Sequence, residues 1–255
     1  MNVNTPKVIF IVPYRDREEQ KVEFINKMKV LLKDTNKHTY NILFIHQCDK
    51  RTFNRGALKN IGFLSVKNDY PETYRDITLC FNDIDTYPTT TGLIPDYSTT
   101  PGKVKHFYGY KFTLGGIVSI NAYDFEKING FPNYWTWGYE DNMLNNRVVE
   151  ANIIIDRSIF YPISDKRISQ INNSPMRIVN KFEFGRYVAK IKEGIDSICN
   201  LRYNINDDSG LVNVTYFDTD YNPNPEFNIE YDTRNTAPPF QVTSNRRGKT
   251  GMNFT

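Results

Sequence analysis

The stretch Ile77-Thr78-Leu79-Cys80-Phe81-Asn82-Asp83-Ile84-Asp85 decides the fold class of this chain. It begins as a short apolar run, typical of a buried strand, and ends in two carboxylates at alternating positions. Ligands of open α/β sheets bind beyond the carboxyl ends of the strands, where paired carboxylates can hold a hard divalent cation against phosphate oxygens. Because Asp-x-Asp also arises in solvated turns, the interpretation needs support from other motifs.

Four further motif blocks accompany this pair in a fixed order along the chain. They are Pro13-Tyr14-Arg15-Asp16-Arg17, Phe53-Asn54-Arg55 with Asn60-Ile61-Gly62-Phe63, Leu114-Gly115-Gly116, and Asn129-Gly130-Phe131-Pro132-Asn133-Tyr134-Trp135-Thr136-Trp137-Gly138-Tyr139-Glu140-Asp141. The first two blocks follow the strand-like runs at residues 8–12 and 42–45. Both therefore sit where a parallel sheet presents its ligand-binding edge.

These blocks resemble the β-1,4-galactosyltransferase family, in which they read roughly PFRNR, FNRAKLLNVGF, DVD, FGGVSAL and NGFPNNYWGWGGEDD. The resemblance runs from about Lys7 to about Asp218. It implies a GT-A type α/β fold, with a central, mostly parallel mixed sheet flanked by helices. It also implies an inverting enzyme that transfers a hexose, galactose from UDP-galactose above all, to a sugar acceptor with a β-glycosidic product.

Composition and charge fit a globular enzyme. The 255 residues are 39% hydrophobic, so the chain can bury a sizeable core. The net charge is only +3, and the lysines and arginines are interspersed with acidic residues. No basic stripe indicates a nucleic-acid partner. The three cysteines have no metal-ligand spacing and read as small core residues.

The sequence also bears on domains and location. Alternating strand and helix periodicities, with helical spacing at residues 17–32 and 56–66, predict strand–helix–strand units before residue 90. The resemblance implies a catalytic domain at residues 1–219. Residues 220–255 are rich in Asn and Pro and predict an extended tail or linker.

No apolar stretch approaches the roughly twenty residues that span a bilayer, and residues 1–6 do not form a signal peptide. We therefore expect a cytoplasmic or cytosol-like location, with a Golgi location only if an anchor lies outside this sequence.

The resemblance assigns a donor-binding set that contacts the UDP-sugar. This set is Pro13, Tyr14, Arg15, Arg17, Phe53, Arg55, Asp83, Tyr110, Gly115, Gly116 and Trp137. Phe53 would stack on uracil, and the arginines would hold phosphate or ribose oxygens, which guanidinium groups bind well. Tyr110 would crowd a 2-acetamido group and so favour galactose.

A divalent cation, Mn²⁺ or alternatively Mg²⁺, is expected to neutralise the diphosphate leaving group, with Asp85 as its ligand. Relatives complete the metal shell with a downstream M-x-x-H. This chain lacks that motif, because His38, His46 and His106 all precede the Glu-Asp pair. Asp165 is a candidate replacement, although a turn residue beside Lys166 and Arg167 is the plainer interpretation.

The tryptophan block is expected to supply the chemistry. By resemblance Asp141 is the general base and Glu140 orients a sugar, although Asp141 could also cap the following helix. The acceptor-binding set is Tyr134, Trp135, Trp137, Glu140 and Asn142. Asn142 stands where relatives often have Asp, so the acceptor stays open. Two alternatives also stay open: another UDP-sugar donor (GalNAc, Glc or Xyl), and a carbohydrate-binding module that has lost turnover.

Overall fold

The computed structural model describes residues 5–171, 175–206, 209–235 and 237–240. The strands β1 to β13 are Val8–Tyr14, Tyr40–Gln47, Thr78–Asn82, Thr86–Pro88, Lys103–Gly109, Ile117–Asn121, Ile154–Asp156, Tyr161–Pro162, Ile168–Gln170, Met176–Asn180, Cys199–Asn206, Leu211–Asp218 and Asn228–Asp232. The helices α1 to α5 are Glu18–Leu31, Arg55–Asp69, Ala122–Lys127, Glu140–Glu150 and Lys181–Val188.

A nine-stranded mixed sheet forms the centre of the fold. Its order is β11-β12-β2-β1-β3-β6-β5-β7, and β8 pairs with β5. The strands β12, β2, β1 and β3 are parallel neighbours, whereas β6 is antiparallel to both β3 and β5. Helices pack on this sheet, so the predicted α/β class is confirmed.

Strand β1 is buried on both faces, which explains its unbroken apolar sequence. Phe10 and Val12 pack into a cluster that contains Phe24 and Met28 of α1. Ile9 and Ile11 point the other way, into a cluster that contains residues of α2, α3 and α4. The period-two alternation of a strand therefore places β1 at the middle of the core.

The segment predicted as a tail contributes to the described structure. Strand β13 pairs antiparallel with β10, outside the central sheet. Residues 241–255 lie outside the described residues. No helix in the described ranges has the length and apolar character needed to cross a membrane.

The sheet topology brings the motif residues to one edge. Arg15 and Arg17 follow the end of β1, and Asp83 and Asp85 follow the end of the neighbouring strand β3. Arg55 begins α2, which follows β2 on the other side of β1. Segments far apart in sequence thus meet beyond the carboxyl ends of three adjacent parallel strands.

Candidate active site

A cavity of about 400 Å³ opens at this edge of the sheet. Its wall brings together many of the predicted site residues, namely Pro13, Arg15, Arg17, Phe53, Arg55, Asp83, Asp85, Tyr134, Trp137 and Glu140. The strand β10 closes one side with Met176, Arg177 and Ile178. The cavity is therefore walled by both the sheet edge and the β10–β13 ribbon.

Helix α2 sets the position of Arg55. Its N-cap is Asn54, whose side-chain oxygen accepts a hydrogen bond from the Ala57 backbone N–H at 2.9 Å. Arg55, the first residue of the helix, donates to both oxygens of Asp83. The same guanidinium lies 3.7 Å from Glu140 and 4.0 Å from Asp141. One side chain thus ties the β3 carboxylate to the Glu-Asp pair.

A buried amide network holds the tryptophan block against α2. Asn54 donates to the Asn133 carbonyl at 3.1 Å, and Asn60 donates to the Phe131 carbonyl at 2.8 Å and to the Asn133 side chain at 2.9 Å. Each of these buried amides therefore has a hydrogen-bond partner in the protein. The network gives Asn54, Asn60 and Asn133 a structural role.

The Glu-Asp pair stands in the first turn of α4. The residue before the helix, Tyr139, has a φ of 71° and makes no side-chain cap, so the capping role considered for Asp141 is wrong. Glu140 is buried on the cavity wall, whereas the Asp141 side chain is 20% exposed. Two acidic side chains in a first turn are favoured by the helix dipole.

The two carboxylates have opposite electrostatic environments. Burial raises the pKa of Glu140, and the charge of Asp141 raises it further. Burial would also raise the pKa of Asp141, but the cations of Lys59 and Arg55 outweigh it, and the pKa is lowered overall. Neighbouring carboxyl groups whose pKa values are pushed apart are typical of acid–base sites. The pattern favours Asp141 as the ionised member of the pair.

Gly115 lies in close contact with the Asp141 carboxylate, where no larger residue would fit. A Cβ atom built on Gly115 would lie 2.2 Å from Oδ2 of Asp141, and the Leu114 backbone N–H donates to the Asp141 carbonyl at 3.0 Å. The glycine of the Leu-Gly-Gly motif thus makes room for the carboxylate. Gly115 lies outside the cavity wall, so the structure gives it a packing role next to Asp141.

The prediction that Trp135 faces an acceptor sugar is wrong. Trp135 is only 2% exposed, stacks on Phe217 with planes 5° apart, and donates from Nε1 to the Thr219 hydroxyl at 2.9 Å. Arg51 covers the indole at 4.5 Å. Trp137, two residues later, is 40% exposed on the cavity wall, and Gly138 beside it has a φ of 110° that favours glycine.

The structure does not bring Tyr110, a predicted donor-binding residue, to the cavity wall. Strand β5 ends at Gly109, and Tyr110 is 53% exposed and stacks on Phe112 outside the cavity. Four other predicted residues lie outside the cavity wall as well: Tyr14, which donates to Glu18 at 2.7 Å, Gly116, which packs against Tyr108, Asn142 in α4, and Asp141, which directly follows Glu140 in the first turn of α4.

The prediction of Asp165 as a metal ligand is corrected too. Its carboxylate accepts hydrogen bonds from Arg167 at 3.0 and 2.7 Å, which lower its pKa to about 2, and it lies outside the cavity wall. The turn interpretation is the one that the structure supports.

The fit of a metal ion depends on Asp85. In the part of the chain that the structure describes, no three His, Cys, Asp or Glu side chains gather as a metal site. Asp83 is engaged by Arg55, whereas Asp85 reaches the cavity wall and accepts a hydrogen bond from the Thr86 hydroxyl at 3.1 Å. Mg²⁺-like ions often bind through one or two carboxylates together with substrate phosphates and water. The residues therefore fit a cation that is held jointly with a diphosphate.

Sequence reasoning missed two cations of this site. Arg177 of β10 reaches the cavity wall, where its pKa is lowered by burial and by the charges of Arg55 and Arg17. Lys59 is almost fully buried and donates to Asp141 at 3.0 Å. Helical spacing could have revealed Lys59, since it lies four residues after Arg55 and thus on the same face of α2. No local signal marks Arg177.

Two family models match this chain. Residues 3–92 match the model of the N-terminal region of glycosyl transferase group 7, and residues 98–171 match the model described as the N-terminal domain of galactosyltransferase. Xylosylprotein 4-beta-galactosyltransferase of Caenorhabditis elegans is 32% identical over 163 residues, which are 59% of this chain and 53% of that protein. Human beta-1,4-galactosyltransferase 6 is 30% identical over 210 residues, 77% of this chain and 52% of that protein.

The chain thus spans about half the length of the curated relatives it matches. Among solved structures, the catalytic domain of Drosophila β-1,4-galactosyltransferase 7 in complex with xylobiose has a TM-score of 0.63 at 22% identity, covering 86% of this chain and 96% of that one. A mutant of the Drosophila enzyme in complex with manganese, UDP-Gal and xylobiose has a TM-score of 0.58, with the same identity and coverage. The predicted GT-A fold is confirmed, and the chain belongs to the β-1,4-galactosyltransferase family.

Proposed function

We propose that this chain is an inverting glycosyltransferase that transfers galactose from UDP-galactose to a terminal sugar. The observation that carries the proposal is the shared cavity. Its wall holds Asp85 and four arginines, together with Trp137 and Glu140. Asp141 follows Glu140 directly in the first turn of α4. A site for a diphosphate leaving group therefore adjoins a carboxylate pair with separated pKa values.

The donor nucleotide would bind near β1 and the start of α2. The Arg15 guanidinium lies 5.2 Å from the centre of the Phe53 ring, and both side chains line the cavity. A flat uracil ring can stack on such a pair. Arg17 and Arg177 add positive charge beside Asp85, where the diphosphate would lie.

Asp141 would act as the base in an in-line displacement. The acceptor hydroxyl oxygen forms a bond to the anomeric carbon, the bond from that carbon to the diphosphate oxygen breaks, and the hydroxyl proton passes to Asp141. Glu140, whose raised pKa favours its protonated form, would orient a sugar hydroxyl by hydrogen bonding. The product is a β-glycoside and UDP.

The leaving UDP carries added negative charge, which must be stabilised as the bond breaks. Arg17 and Arg177 supply fixed positive charge at the cavity wall. A Mn²⁺ or Mg²⁺ ion held by Asp85 and the diphosphate would act there as a Lewis acid. Manganese in the complex of the Drosophila relative supports this metal.

The acceptor is proposed to be a glycan with a terminal sugar that stacks on Trp137. That side chain is the exposed aromatic residue of the tryptophan block, and it borders Glu140 along the cavity wall. Xylobiose in the Drosophila complexes makes β-xylosides the first acceptors to examine.

UDP release across a panel of donors tests the proposal. We expect release with UDP-galactose, Mn²⁺ and an acceptor to exceed release with UDP-GalNAc, UDP-glucose or UDP-xylose. A higher rate with one of the other donors would reassign the donor and keep the reaction class. Donor binding without release for any donor and acceptor would favour a binding module that has lost turnover.

A further inference from the structure

Lys59 is a buried cation that has no part in the steps of the reaction proposed above. Its side chain is 2% exposed, and its Nζ lies 3.0 Å from Oδ1 of Asp141 and 4.2 Å from the centre of the Phe131 ring. Lysine is almost never fully buried unless it is paired. The core therefore accommodates Lys59 because Asp141 is there to receive its charge.

The position of Lys59 follows from the capped start of α2. Arg55 and Lys59 are four residues apart, so they project from one face of the helix, one turn from each other. Arg55 reaches Asp83 and Glu140, and Lys59 reaches Asp141. The face of α2 thus presents two cations to three carboxylates.

The surroundings of Asp141 leave its carboxylate little freedom. Four titratable groups face it from three elements: Lys59 and Arg55 from α2, Glu140 from α4, and His106 from β5. On another side Oδ2 lies against Gly115, where a single added carbon would collide. Lys59 donates a hydrogen bond to Oδ1, and the Arg55 guanidinium lies 4.0 Å from Oδ2.

We propose that Lys59 is a positioning residue that keeps the Asp141 carboxylate ionised and oriented for proton abstraction. The inference rests on the proposed function, because it takes Asp141 as the base. Its consequence is a base that remains ionised in mildly acidic conditions. The cost is a lower intrinsic basicity, since the pKa of Asp141 falls below its ordinary value.

The first test measures Asp141 itself and needs no turnover. In ¹³C-labelled protein, the carboxyl signal of Asp141, assigned with Asp141→Asn, is titrated in the parent and in Lys59→Met. The parent should titrate below the ordinary value of about 3.9. The variant should titrate about one to three pH units higher, the range produced by an adjacent cation.

Lys67→Met is the matched control. Lys67 lies on the same helix, but it is half exposed and pairs with Glu126 at 2.6 Å instead of with Asp141. Its removal should leave the Asp141 titration unchanged. Lys59→Arg, which keeps the charge, should retain the low titration point.

The second test is the pH profile of kcat. Lys59→Met should move the acidic limb upward by the shift measured for Asp141, while the Kd for UDP stays within about twofold, since Lys59 is not on the cavity wall. A merely structural role would lower kcat equally at every pH.

Three results would overturn the inference: an Asp141 titration at or above about 3.9 in the parent, no shift in Lys59→Met, or an equal shift in Lys67→Met. Should Lys59→Met not fold, Lys59→Gln, which keeps a donor for Oδ1 without the charge, carries the same comparison. A parent that lacks turnover with every donor would contradict the proposed function, whereas the NMR titration would still decide whether Lys59 holds Asp141 ionised.

Discussion

Arg55 donates to both carboxylate oxygens of Asp83, each at 2.5 Å, across the gap between α2 and the end of β3. Burial alone would lower the pKa of Arg55, but Asp83, Asp141 and Glu140 raise it overall. Both hydrogen bonds come from the single nitrogen Nη2, and charge-assisted hydrogen bonds of this kind hold the two side chains together. Asp83 is thereby engaged by Arg55, and Asp85 is the carboxylate left to bind a cation where the diphosphate is proposed to lie.

Asp85→Asn is therefore expected to abolish the tightening of UDP binding by Mn²⁺, because the variant loses the carboxylate that a cation shares with the diphosphate. Calorimetric titration of UDP with and without Mn²⁺ measures this difference. Asp165→Asn is the control and should keep the full metal effect, since Asp165 is held by Arg167 outside the cavity wall. An undiminished metal effect in the Asp85 variant would contradict the assignment.

Arg177→Gln should weaken the binding of UDP more than the binding of UMP. Arg177 shares the cavity wall with Asp85 and Arg17, where the second phosphate is proposed to lie. The loss should be about tenfold or more for UDP, the typical worth of a hydrogen bond to a charged group.

The control for this prediction is Arg202→Gln. Arg202 is an exposed residue of β11 that lies outside the cavity wall. Equal losses for UDP and UMP in the Arg177 variant would place its side chain away from the diphosphate.

Asp141→Asn should cut turnover by roughly a hundredfold or more, the usual contribution of general-base catalysis, while UDP binding persists. The amide keeps the shape of the side chain but cannot take the proton. Glu140→Gln should retain more activity, because the raised pKa of Glu140 favours the protonated form that an amide imitates. Single-turnover rates at saturating donor compare the two variants. A lower rate for the Glu140 variant would indicate that Glu140, and not Asp141, is the general base.

Substitution of Trp135 should affect stability, whereas substitution of Trp137 should affect sugar binding. Trp135→Ala should destabilise the protein by about 3 to 5 kcal/mol, the typical result of deleting a large core side chain. Trp137→Ala should leave the free energy of unfolding nearly unchanged and raise the KM for the acceptor. Denaturant titration and acceptor kinetics measure the two effects, and equal destabilisation by both variants would refute the division.

His106 should make the protein less stable in acid. Its Nε2 lies 3.0 Å from the Tyr108 carbonyl oxygen and 3.1 Å from that of Gly115, and Arg157 donates to its Nδ1 at 3.1 Å. Burial, followed by the charge of Arg157, lowers the pKa of His106 from 6.5 to about 4. Between these values the unfolded chain binds a proton that the folded chain excludes, so stability falls as the pH falls.

The loss attributable to His106 should be about 3.5 kcal/mol at most between about pH 6.5 and pH 4, because one unit of pKa shift corresponds to about 1.4 kcal/mol. The free energy of unfolding across this window, measured for the parent and for His106→Gln, gives the difference. The variant should show a flatter pH dependence. Identical slopes would mean that His106 does not exclude the proton in the folded state.

Much of the architecture was predictable because its causes are local. The apolar runs of β1 and β3, the helical spacing that predicts α2, and the polar residues directly after each strand all appear as short patterns. Parallel strands then bring their carboxyl ends together by geometry. For that reason, together with the family resemblance, the sequence predicts that Arg17, Arg55 and Asp85 belong to one site.

Side-chain direction was not predictable from those patterns. Trp135 and Trp137 stand two residues apart in one loop, yet the first is stacked on Phe217 and the second is exposed on the cavity wall. Phe217 comes from a strand some eighty residues later in the chain. The choice between core and cavity thus depends on a partner that no local pattern contains.

The sequence by itself determined the fold, the family and the residues available for chemistry, because these follow from periodicity and from motif order. Tertiary structure alone decided the charges around Asp141 and Asp85. Lys59, Arg55 and Arg177 reach these carboxylates from α2 and β10, and burial strengthens each interaction by excluding water. Protonation states in this site are therefore a property of packing, which the order of residues along the chain does not display.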